Sequence, residues 1–440
     1  MDNSAFLTGY EFLIVTPYLI LVLFCLRLVK QRHSDESLNR YFYPGFFFKL
    51  SFAVLFAVLY LFFLGGGDIN AYWDGASSLA DLFYTNPEGY VQELWQTHRE
   101  YGINYHFNSD TGYPPGWIWR EEEAWTAAKI ISIFSILTFK SFWATTLLIS
   151  CATFAVSWAL AVQLVRHENM HKVACVIAFL FIPSVAFWCS GISKDSLTYF
   201  LTLLFIYQAF LWIKWGGGKR ILRGFGLIFI LVLLYNLRHF LAFAIFVPFV
   251  LAVLSRYASR FSGRPLLLWV YRFFLYAIFI GSVYVVISSD QTQDLINEAN
   301  ITKQDFSNNP IYTGAKYEMP TNVSSPIQLL GLFPRSFLIA MFRPTFLDPV
   351  GPSFVINQLE SLLFIFLTLR FLFSPWVIRS ISSIIRNEFL LFSIIFIFFV
   401  GFMSGYTSIL FGVLVRIRAI ALPFLVLVLF QKFKPQDTTP

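Results

Sequence analysis

The chain has 440 residues, of which 57% are hydrophobic, 20% aromatic and only 13% charged. An ordinary soluble domain carries about 25% charged residues, so this composition excludes a water-soluble enzyme, and it also excludes a disordered chain, which would be poor in apolar residues. The net charge of +7 is typical of a multispan membrane protein that retains Lys and Arg on its cytoplasmic side, and nucleic acid is not expected as a partner.

Apolar segments long enough to cross a bilayer recur along the whole chain. A spanning helix needs about 20 mostly apolar residues. This criterion predicts about eleven spans, at residues 11–29, 46–64, 142–164, 173–190, 196–215, 223–237, 239–256, 266–287, 353–374, 387–405 and 409–431. The sixth and seventh spans meet at residues 236–239, where we expect a tight hairpin or a broken helix. The predicted fold is all-α, a polytopic transmembrane helical bundle that forms one integral membrane domain over residues 1–440.

Positive charges follow every second predicted span. They group at residues 30–49, 166–172, 219–223, 256–264, 379–386 and 432–434. Because cytoplasmic connections retain Lys and Arg, this pattern predicts an external N-terminus and a cytoplasmic C-terminus. Two long connections, residues 65–141 and 288–352, then form an external loop layer. The first is acidic, rich in Trp and expected to carry amphipathic helices. The second ends in a semi-apolar stretch at residues 327–341, which predicts an interfacial helix because Pro334 and Arg335 do not suit a span.

Ionisable residues collect near the external ends of the spans, where their cost usually marks a function. They are Asp68, Lys194, Asp195, Arg238, His239 and Arg343, with Glu360, Arg416 and Arg418 inside the late spans. Alternating spans bring all of them near one leaflet, which predicts a cleft in which carboxylates face several cations. Cations at this level suit a phosphate, and a neighbouring carboxylate can take a proton from a hydroxyl. The combination favours group transfer from a lipid phosphate.

Each of these residues also has a structural interpretation that the sequence leaves open. An Arg at the end of a span can be a snorkelling interface anchor. Lys194 and Asp195 can form a charge-neutral turn, and Asp68 can be an ordinary helix cap. Arg416 and Arg418 face different directions on a helix, so at least one needs an internal partner. We expect Glu360 to supply it.

The spacing Asp68-x-x-x-Tyr72, the amphipathic loop at residues 79–129 and the layout of the spans resemble the GT-C superfamily of membrane glycosyltransferases. These enzymes share many spans, a large first external loop and an Asp just after the membrane exit of an early helix. Residues 187–195 and 342–344 are similar to segments of uncharacterised bacterial proteins grouped with such transferases or with polysaccharide polymerases. In this chain the Asp follows the second apolar segment, whereas the family usually places it after the first. The paired acidic motif of the family is reduced to Asp68 and the more distant Asp74.

The resemblance implies an outer-leaflet glycosyltransferase that moves a sugar from a polyprenyl-phosphate donor to a glycan or lipid-linked acceptor in cell-envelope polysaccharide assembly. It implies a bacterial inner membrane, with membrane lipids around the protein and an active site that faces the periplasm or exterior. Asp68 would be the catalytic base. The substrate-binding residues would be Tyr72, Asp74, Lys194, Asp195, Arg238, His239, Arg343, Glu360, Arg416 and Arg418. The donor phosphate would bind the cations, with one of the last two Arg residues taking part, and Tyr72 and the loop Trp residues would stack on sugar rings. No redox cofactor is expected, and a divalent ion at Asp68 stays open although no cluster of ligands supports it.

Two other activities stay open. A polysaccharide polymerase that acts on polyprenyl-pyrophosphate-linked repeats would depend on Arg residues more than on Asp68. A flippase or transporter of lipid-linked sugars would favour broken helices in matching halves of the chain.

Residues 167–171 fit H-E-x-x-H, in which two His one helical turn apart bind zinc. Their place in a short basic connection favours a solvated loop, so we expect no metal site.

Overall fold

The computed structural model describes residues 6–33, 35–216, 220–258, 290–320, 323 and 325–430, together with isolated positions between 263 and 277. Within these ranges the regular structure is helical, apart from a single antiparallel bridge between Lys316 and Leu410. The predicted all-α fold is therefore confirmed for this part of the chain. The chain divides into two compact units, Met1–Ala242 and Phe243–Pro440.

Eight helices in the described ranges are long and apolar enough to cross a membrane, or nine if one bent pair forms a single span. They are Gly9–Arg32, Asn39–Phe63, Phe142–His167, Lys194–Trp215, Arg220–Leu237, His239–Tyr257, Pro352–Leu372 and Glu388–Thr407. Each corresponds to one of the eleven predicted spans. These helices identify an integral membrane protein.

The three other predicted spans differ from a single straight helix or lie outside the described residues. Residues 173–190 form two short helices, because Ile182 is extended directly before Pro183 and a proline disfavours the helical conformation in the residue before it. Residues 409–431 contain the bent pair Phe411–Arg418 and Leu422–Leu429, whose axes differ by 61°. Residues 266–287 fall outside the described part of the chain, apart from isolated positions.

The described residues of the first unit form eleven α-helices and the start of a twelfth. They are α1 (Gly9–Arg32), α2 (Phe42–Val58), α3 (Asp68–Thr85), α4 (Pro87–Trp95), α5 (Gly116–Arg120), α6 (Glu122–Leu137), α7 (Phe142–His167), α8 (Lys172–Leu180), α9 (Pro183–Trp188), α10 (Lys194–Phe210), α11 (Arg220–Leu237) and α12 (His239–Ala258). The first predicted loop thus folds into helices α3 to α6. Gly75 lets α3 lie close to α6, because a Cβ at this position would be 3.3 Å from Ala128 and 3.5 Å from Trp125.

Polar contacts join the starts of α1 and α7, and they join the end of α7 to residues 211–215, which follow α10. The Glu11 carboxylate near the start of α1 accepts hydrogen bonds from the Ser141 hydroxyl at 2.6 Å and from the Phe142 N–H at 2.9 Å, at the start of α7. A negative charge at a helix N-terminus is favourable because the backbone N–H groups there lack helical partners. At the opposite end of α7, buried Glu168 accepts from Lys214 at 2.9 Å and from the Trp215 indole at 2.8 Å. These contacts fix the position of α7 along its axis relative to α1 and to the segment that follows α10.

Lys49 lies inside the helix bundle, although the charge pattern groups it with the basic first connection. Its side chain is buried in α2. Its ammonium donates to the Ser157 hydroxyl at 3.2 Å and lies 4.7 Å from the centre of the Tyr199 ring. The positive-inside pattern therefore includes one lysine that has an internal structural role.

The second unit contains the rest of α12 and eight further described helices. They are α13 (Asp290–Asn308), α14 (Pro326–Gly331), α15 (Phe333–Phe342), α16 (Val355–Leu372), α17 (Val377–Arg386), α18 (Glu388–Thr407), α19 (Phe411–Arg418) and α20 (Leu422–Leu429). The stretch predicted as one interfacial helix is divided into α14 and α15 at Leu332. Helix α15 lies against α18 where Gly405 meets the Ser336 backbone, an approach that leaves no room for a Cβ.

Candidate functional site

Five ionisable side chains meet at the ends of α6, α10 and α11 in the first unit. We call Glu123, Lys194, Asp195, Arg238 and His239 the charged cluster. The Lys194 ammonium lies 2.7 Å from one oxygen of Glu123, and the His239 Nδ1 lies 3.1 Å from the other. The Arg238 guanidinium donates to Asp195 at 2.5 Å. The structure thus brings together four residues that the sequence analysis selected.

Helix ends position the charged cluster. The Ser193 hydroxyl accepts from the Ser196 N–H at 3.0 Å and caps α10, so Lys194 and Asp195 occupy the first turn of that helix. Arg238 is the residue between α11 and α12, and Glu123 lies in the first turn of α6. The charges therefore sit where helix ends expose polar backbone groups, rather than in the middle of spans.

The electrostatics of the charged cluster keep Glu123 ionised. Burial raises the pKa of Glu123, but the neighbouring charge of Lys194 and its hydrogen bond lower it further, so the net pKa lies below the ordinary value. Asp195 and Arg238 are both buried, and a buried ion pair is costly to desolvate. The Arg238 Nη1 is buried as well and has no hydrogen-bond partner among the described residues. An acceptor from a bound ligand would satisfy it.

Asp68 and Tyr72 lie one turn apart at the start of α3. Asp68 is half-buried and Tyr72 is buried. The preceding residues Gly65–Gly67 all have positive φ, between 70° and 142°, a conformation that glycine adopts without strain. Gly67 lies against the Tyr60 ring, which in turn contacts Trp188. Because the Trp188 carbonyl accepts from the Ser193 hydroxyl just before α10, these contacts place the starts of α3 and α10 at the same end of the unit.

Asp74 lies further along α3 and is half-buried. Its Oδ1 is buried without a hydrogen-bond partner among the described residues. Burial raises the pKa of Asp74 from 3.8 to about 6. Perturbed carboxyl groups of this kind occur in functional sites more often than elsewhere, so Asp74 remains a candidate.

An apolar cavity of about 380 Å³ lies between α6, α7, α10 and α11, next to the charged cluster. Ser196 and Leu197 line it and follow Asp195 directly in the chain. On α11 the lining includes Leu233, five residues before Arg238, and Gly226, where an added Cβ would meet no atom within 4 Å. The cavity and the cluster therefore share the first turn of α10 and the last turns of α11.

The second unit holds the other predicted site residues, and the described contacts of Arg343 and Arg418 are with groups of that same unit. The Arg343 guanidinium donates from Nε to Asp348 at 2.9 Å and lies over the Phe411 ring. Burial raises the pKa of Asp348, but the hydrogen bond from Arg343 helps to lower it below its ordinary value. These contacts indicate a structural use of Arg343.

Arg418 is fully buried and bonds to the backbone of the second unit. Its guanidinium donates to the carbonyls of Ala340, at 3.2 Å, and Arg343, and to the Ser361 hydroxyl. Glu360, which the sequence analysis expects as the internal partner of an arginine, is buried on α16 next to Ser361, and its pairing with Arg418 stays a prediction. Arg416 is half-buried on the same helix.

The H-E-x-x-H segment does not form a single helical face. His167 is the last residue of α7, and His171 precedes α8, with Asn169 at a φ of 51° between them. Glu168 is buried and paired with Lys214, so it does not lie in the solvated loop that we expected. Among the described residues, no group of three or more His, Cys, Asp or Glu side chains is placed to hold a metal ion.

Glu123 is the residue that sequence reasoning missed. It joins Lys194 and His239, which lie 71 and 116 residues further along the chain. The sequence analysis counted it only as part of an acidic loop. Its position in the run Glu121–Glu123, directly before the amphipathic part of α6, was the available signal.

The chain has no match among known protein families, curated proteins or solved structures. The functional assignment therefore rests on three features of the first unit: the charged cluster, the apolar cavity and the carboxylates of α3.

Proposed function

We propose that the chain is a membrane-embedded glycosyltransferase, which moves a sugar from a polyprenyl-phosphate donor to a glycan or lipid-linked acceptor. The observation that carries the proposal is the position of the apolar cavity next to the charged cluster. A polyprenyl-phosphate sugar is an apolar chain joined to an anionic group. The two parts of the site thus match the two parts of the donor.

The cavity suits a segment of a lipid chain. A water molecule takes about 30 Å³ in the liquid, so the 380 Å³ cavity has room for about a dozen groups of methylene size. Its walls include Ile130, Phe134, Phe200 and Leu233, which offer no polar partner to a ligand. An isoprenoid chain needs none, because it carries no group that forms hydrogen bonds.

The charged cluster suits the phosphate. Lys194 has three ammonium hydrogens and its described ion pairs are with Glu121 and Glu123, while His239 is exposed. The unpartnered Nη1 of Arg238 adds a donor in a buried position. Glu123 and Asp195 would hold these cations in place, and the phosphate would use the donors that remain.

In the proposed reaction an acceptor hydroxyl attacks the anomeric carbon of the donor sugar. The bond from this carbon to the phosphate oxygen breaks, and polyprenyl phosphate leaves with the bonding electron pair. Asp68 takes the hydroxyl proton, Tyr72 packs on a sugar ring and Asp74 binds a sugar hydroxyl. Lys194, Arg238 and His239 stabilise the charge that develops on the leaving phosphate.

The base assignment is tested by Asp68→Asn in proteoliposomes that contain a labelled polyprenyl-phosphate sugar and an acceptor. We expect turnover to fall at least about 100-fold, because general base catalysis contributes on this scale. Asp110→Asn, which changes an exposed carboxylate of the same segment, should leave turnover unchanged. Full activity of Asp68→Asn with normal thermal unfolding would show that Asp68 is not the base.

The donor site is tested by filling the cavity. Gly226→Leu places a side chain inside it, whereas Gly224→Leu makes the same change on α11 at a position that does not line the cavity and is equally free of neighbouring atoms. We expect the first variant alone to raise the KM for the lipid donor at least tenfold and to lose polyprenyl lipids that copurify with the protein. Equal behaviour of the two variants would remove the cavity from the proposal.

A lipid-linked sugar flippase is the second candidate, because the second unit contains a bent pair of apolar helices and a predicted span of the first unit is divided into two short helices. The bend of 61° lies between α19 and α20, and the break in the first unit lies between α8 and α9. Discontinuous helices in both halves are typical of transporters. Transbilayer movement of a fluorescent lipid-linked sugar without formation of a glycosidic product would favour the flippase over the transferase.

The proposal places the charged cluster at the outer face of a bacterial inner membrane, with an external N-terminus. Single cysteines introduced in a cysteine-free chain test this orientation. A membrane-impermeant maleimide added to intact cells should label Asp110→Cys and should leave Glu36→Cys unlabelled. The opposite pattern would invert the orientation and place the site on the cytoplasmic side.

A further inference from the structure

A polar pocket of about 450 Å³ lies in the second unit, between the end of α13 and the start of α19. We call it the loop pocket. Its polar lining residues are Ser307, Lys316, Glu318 and Arg335, and Met319, Pro320 and Ile409 contribute apolar surface. This volume falls within the range of about 300–1,000 Å³ that is common for small-molecule sites. It holds about fifteen water-sized groups, which is more than a bare phosphate ion fills.

The wall of the loop pocket is fixed to the helix bundle of its unit. The Tyr317 N–H donates to the Ile409 carbonyl at 2.8 Å, and the Phe411 N–H donates to the Ala315 carbonyl at 3.0 Å. These two bonds form an antiparallel β-bridge between Lys316 and Leu410. The pocket therefore has a defined shape before any ligand binds.

Three cations surround the pocket, and their described hydrogen bonds go to backbone carbonyls. Lys316 donates to Ser307 at 3.1 Å, and Arg335 donates to Glu318 at 3.0 Å. Behind the wall, buried Lys303 donates to the Pro320 carbonyl at 2.9 Å, and burial lowers its pKa to about 8. Among the described lining residues Glu318 is the one carboxylate, and its side chain is exposed. The pocket thus has an excess of positive charge.

We propose that the loop pocket binds a sugar-sized ligand that carries a carboxylate or a phosphate. The two lining cations recognise the oxyanion, and Ser307 and the carbonyl groups of the wall recognise hydroxyls. The apolar lining at Met319, Pro320 and Ile409 packs on the ring. The loop pocket shares no residue with the charged cluster, and the proposal for it does not depend on the proposed transferase activity.

The test is calorimetric titration of the full-length protein in nanodiscs with glucuronate, glucose 1-phosphate and glucose. We expect saturable binding of the two acidic sugars and at least tenfold weaker binding of glucose. Preference for glucuronate would identify a carboxylated ligand, and preference for glucose 1-phosphate would identify a phosphorylated one. Equal binding of glucose, or no saturable binding of any of the three, would overturn the proposal.

Variants locate the site and separate this proposal from the proposed function. Lys316→Gln with Arg335→Gln should weaken the acidic sugars at least tenfold, whereas Glu318→Gln should strengthen them, because it removes the lining carboxylate. Lys194→Gln in the charged cluster should leave this binding unchanged. If the double variant does not fold, Glu318→Gln carries the test. Loss of binding in Lys194→Gln alone would assign the acidic sugar to the charged cluster and reject the loop pocket.

Discussion

The charged cluster of the first unit and two arginines of the second unit, Arg343 and Arg418, hold their charges in different ways. Lys194 and Arg238 are paired with carboxylates from other parts of the chain, at helix ends, beside exposed His239. Arg418 is fully buried and donates to two backbone carbonyls and a Ser hydroxyl. Arg343 is paired with Asp348, only five residues away.

From this difference we infer two separate uses for ionisable residues near the ends of apolar helices. A cation that satisfies backbone carbonyls joins segments of the fold, and its removal leaves buried polar groups without partners. A cation that shares carboxylates in a partly exposed cluster can also offer donors to a ligand. Substitution of the first kind of residue should lower the free energy of unfolding, and substitution of the second kind should lower turnover.

The largest effect that we expect is on folding, from Arg418→Met. The change leaves the Ala340 and Arg343 carbonyls without the donor that Arg418 provides in the interior. We expect the free energy of unfolding to fall by about 3–5 kcal/mol, because each buried polar group left without a partner costs about 1–3 kcal/mol. Arg379→Met, an exposed arginine of the same unit, should change it by no more than about 1 kcal/mol. Equal unfolding of the two variants in detergent would contradict a structural role for Arg418.

The pair Asp195–Arg238 tests whether one buried ion pair can have both a structural and a functional role, because it also belongs to the proposed site. Asp195→Leu or Arg238→Met alone should lower the free energy of unfolding by about 3–5 kcal/mol, because each leaves one buried charge unpaired. The double variant should recover most of this stability, since apolar side chains of similar size often replace a buried pair at little cost. It should nevertheless be inactive. A stable and active double variant would show that the pair is only structural.

Lys194→Gln should affect turnover far more than stability. We expect kcat/KM to fall about 100-fold, the scale of one lost donor to developing charge. The free energy of unfolding should change by about 1 kcal/mol, because Glu121 and Glu123 stay partly solvated. Lys140→Gln is the matched control, since it breaks an ion pair with Asp81 of the same 2.7 Å length. If Lys140→Gln lowers turnover equally, the charged cluster has no special role.

The sequence predicted the positions of those helices that consist of long apolar segments, and it did not predict the breaks inside predicted spans or the polar contacts between helices. Long apolar runs such as those of α1, α7 and α18 correspond to the predicted spans, because a helix is the one way to satisfy backbone groups inside a single apolar segment. The break at residues 181–182 was predictable from Pro183 but was hidden by the apolar run around it. Lys49 could not be placed, because its partner Ser157 lies 108 residues away.

The residues of the candidate site also fall into two groups, those that could be selected from the sequence and those that could not. Lys194, Asp195, Arg238 and His239 could be selected because polar residues at span boundaries stand out in an apolar chain. Glu123 could not, because its sequence neighbours are also acidic and its partners are distant in the chain. The carbonyl partners of Arg418 were equally hidden, because backbone carbonyls have no signature in the sequence.

The smallest effect that we expect comes from Asp74, and it depends on pH. The pKa of Asp74 in the folded state is about 6, raised by burial above the ordinary 3.8. Between these two values the folded state holds a proton that the unfolded state has released, so stability falls as the pH rises from about 4 to about 6. Asp74→Asn removes this loss. Because the group is half-buried and partly screened by solvent, we expect the variant to be more stable than the parent by about 1 kcal/mol at pH 7.5.

At pH 4 the advantage of Asp74→Asn should vanish, because the carboxyl group is then protonated in the folded parent. Thermal unfolding of both proteins from pH 4 to pH 8 measures this difference, with Asp110→Asn as the exposed control in the same segment. A gain in stability at pH 7.5 together with a loss of turnover would place Asp74 with the charged cluster, as a group held at a cost for function. A gain in stability with full turnover would place Asp74 outside the site, because a buried carboxylate that the reaction does not use can be replaced without loss of activity.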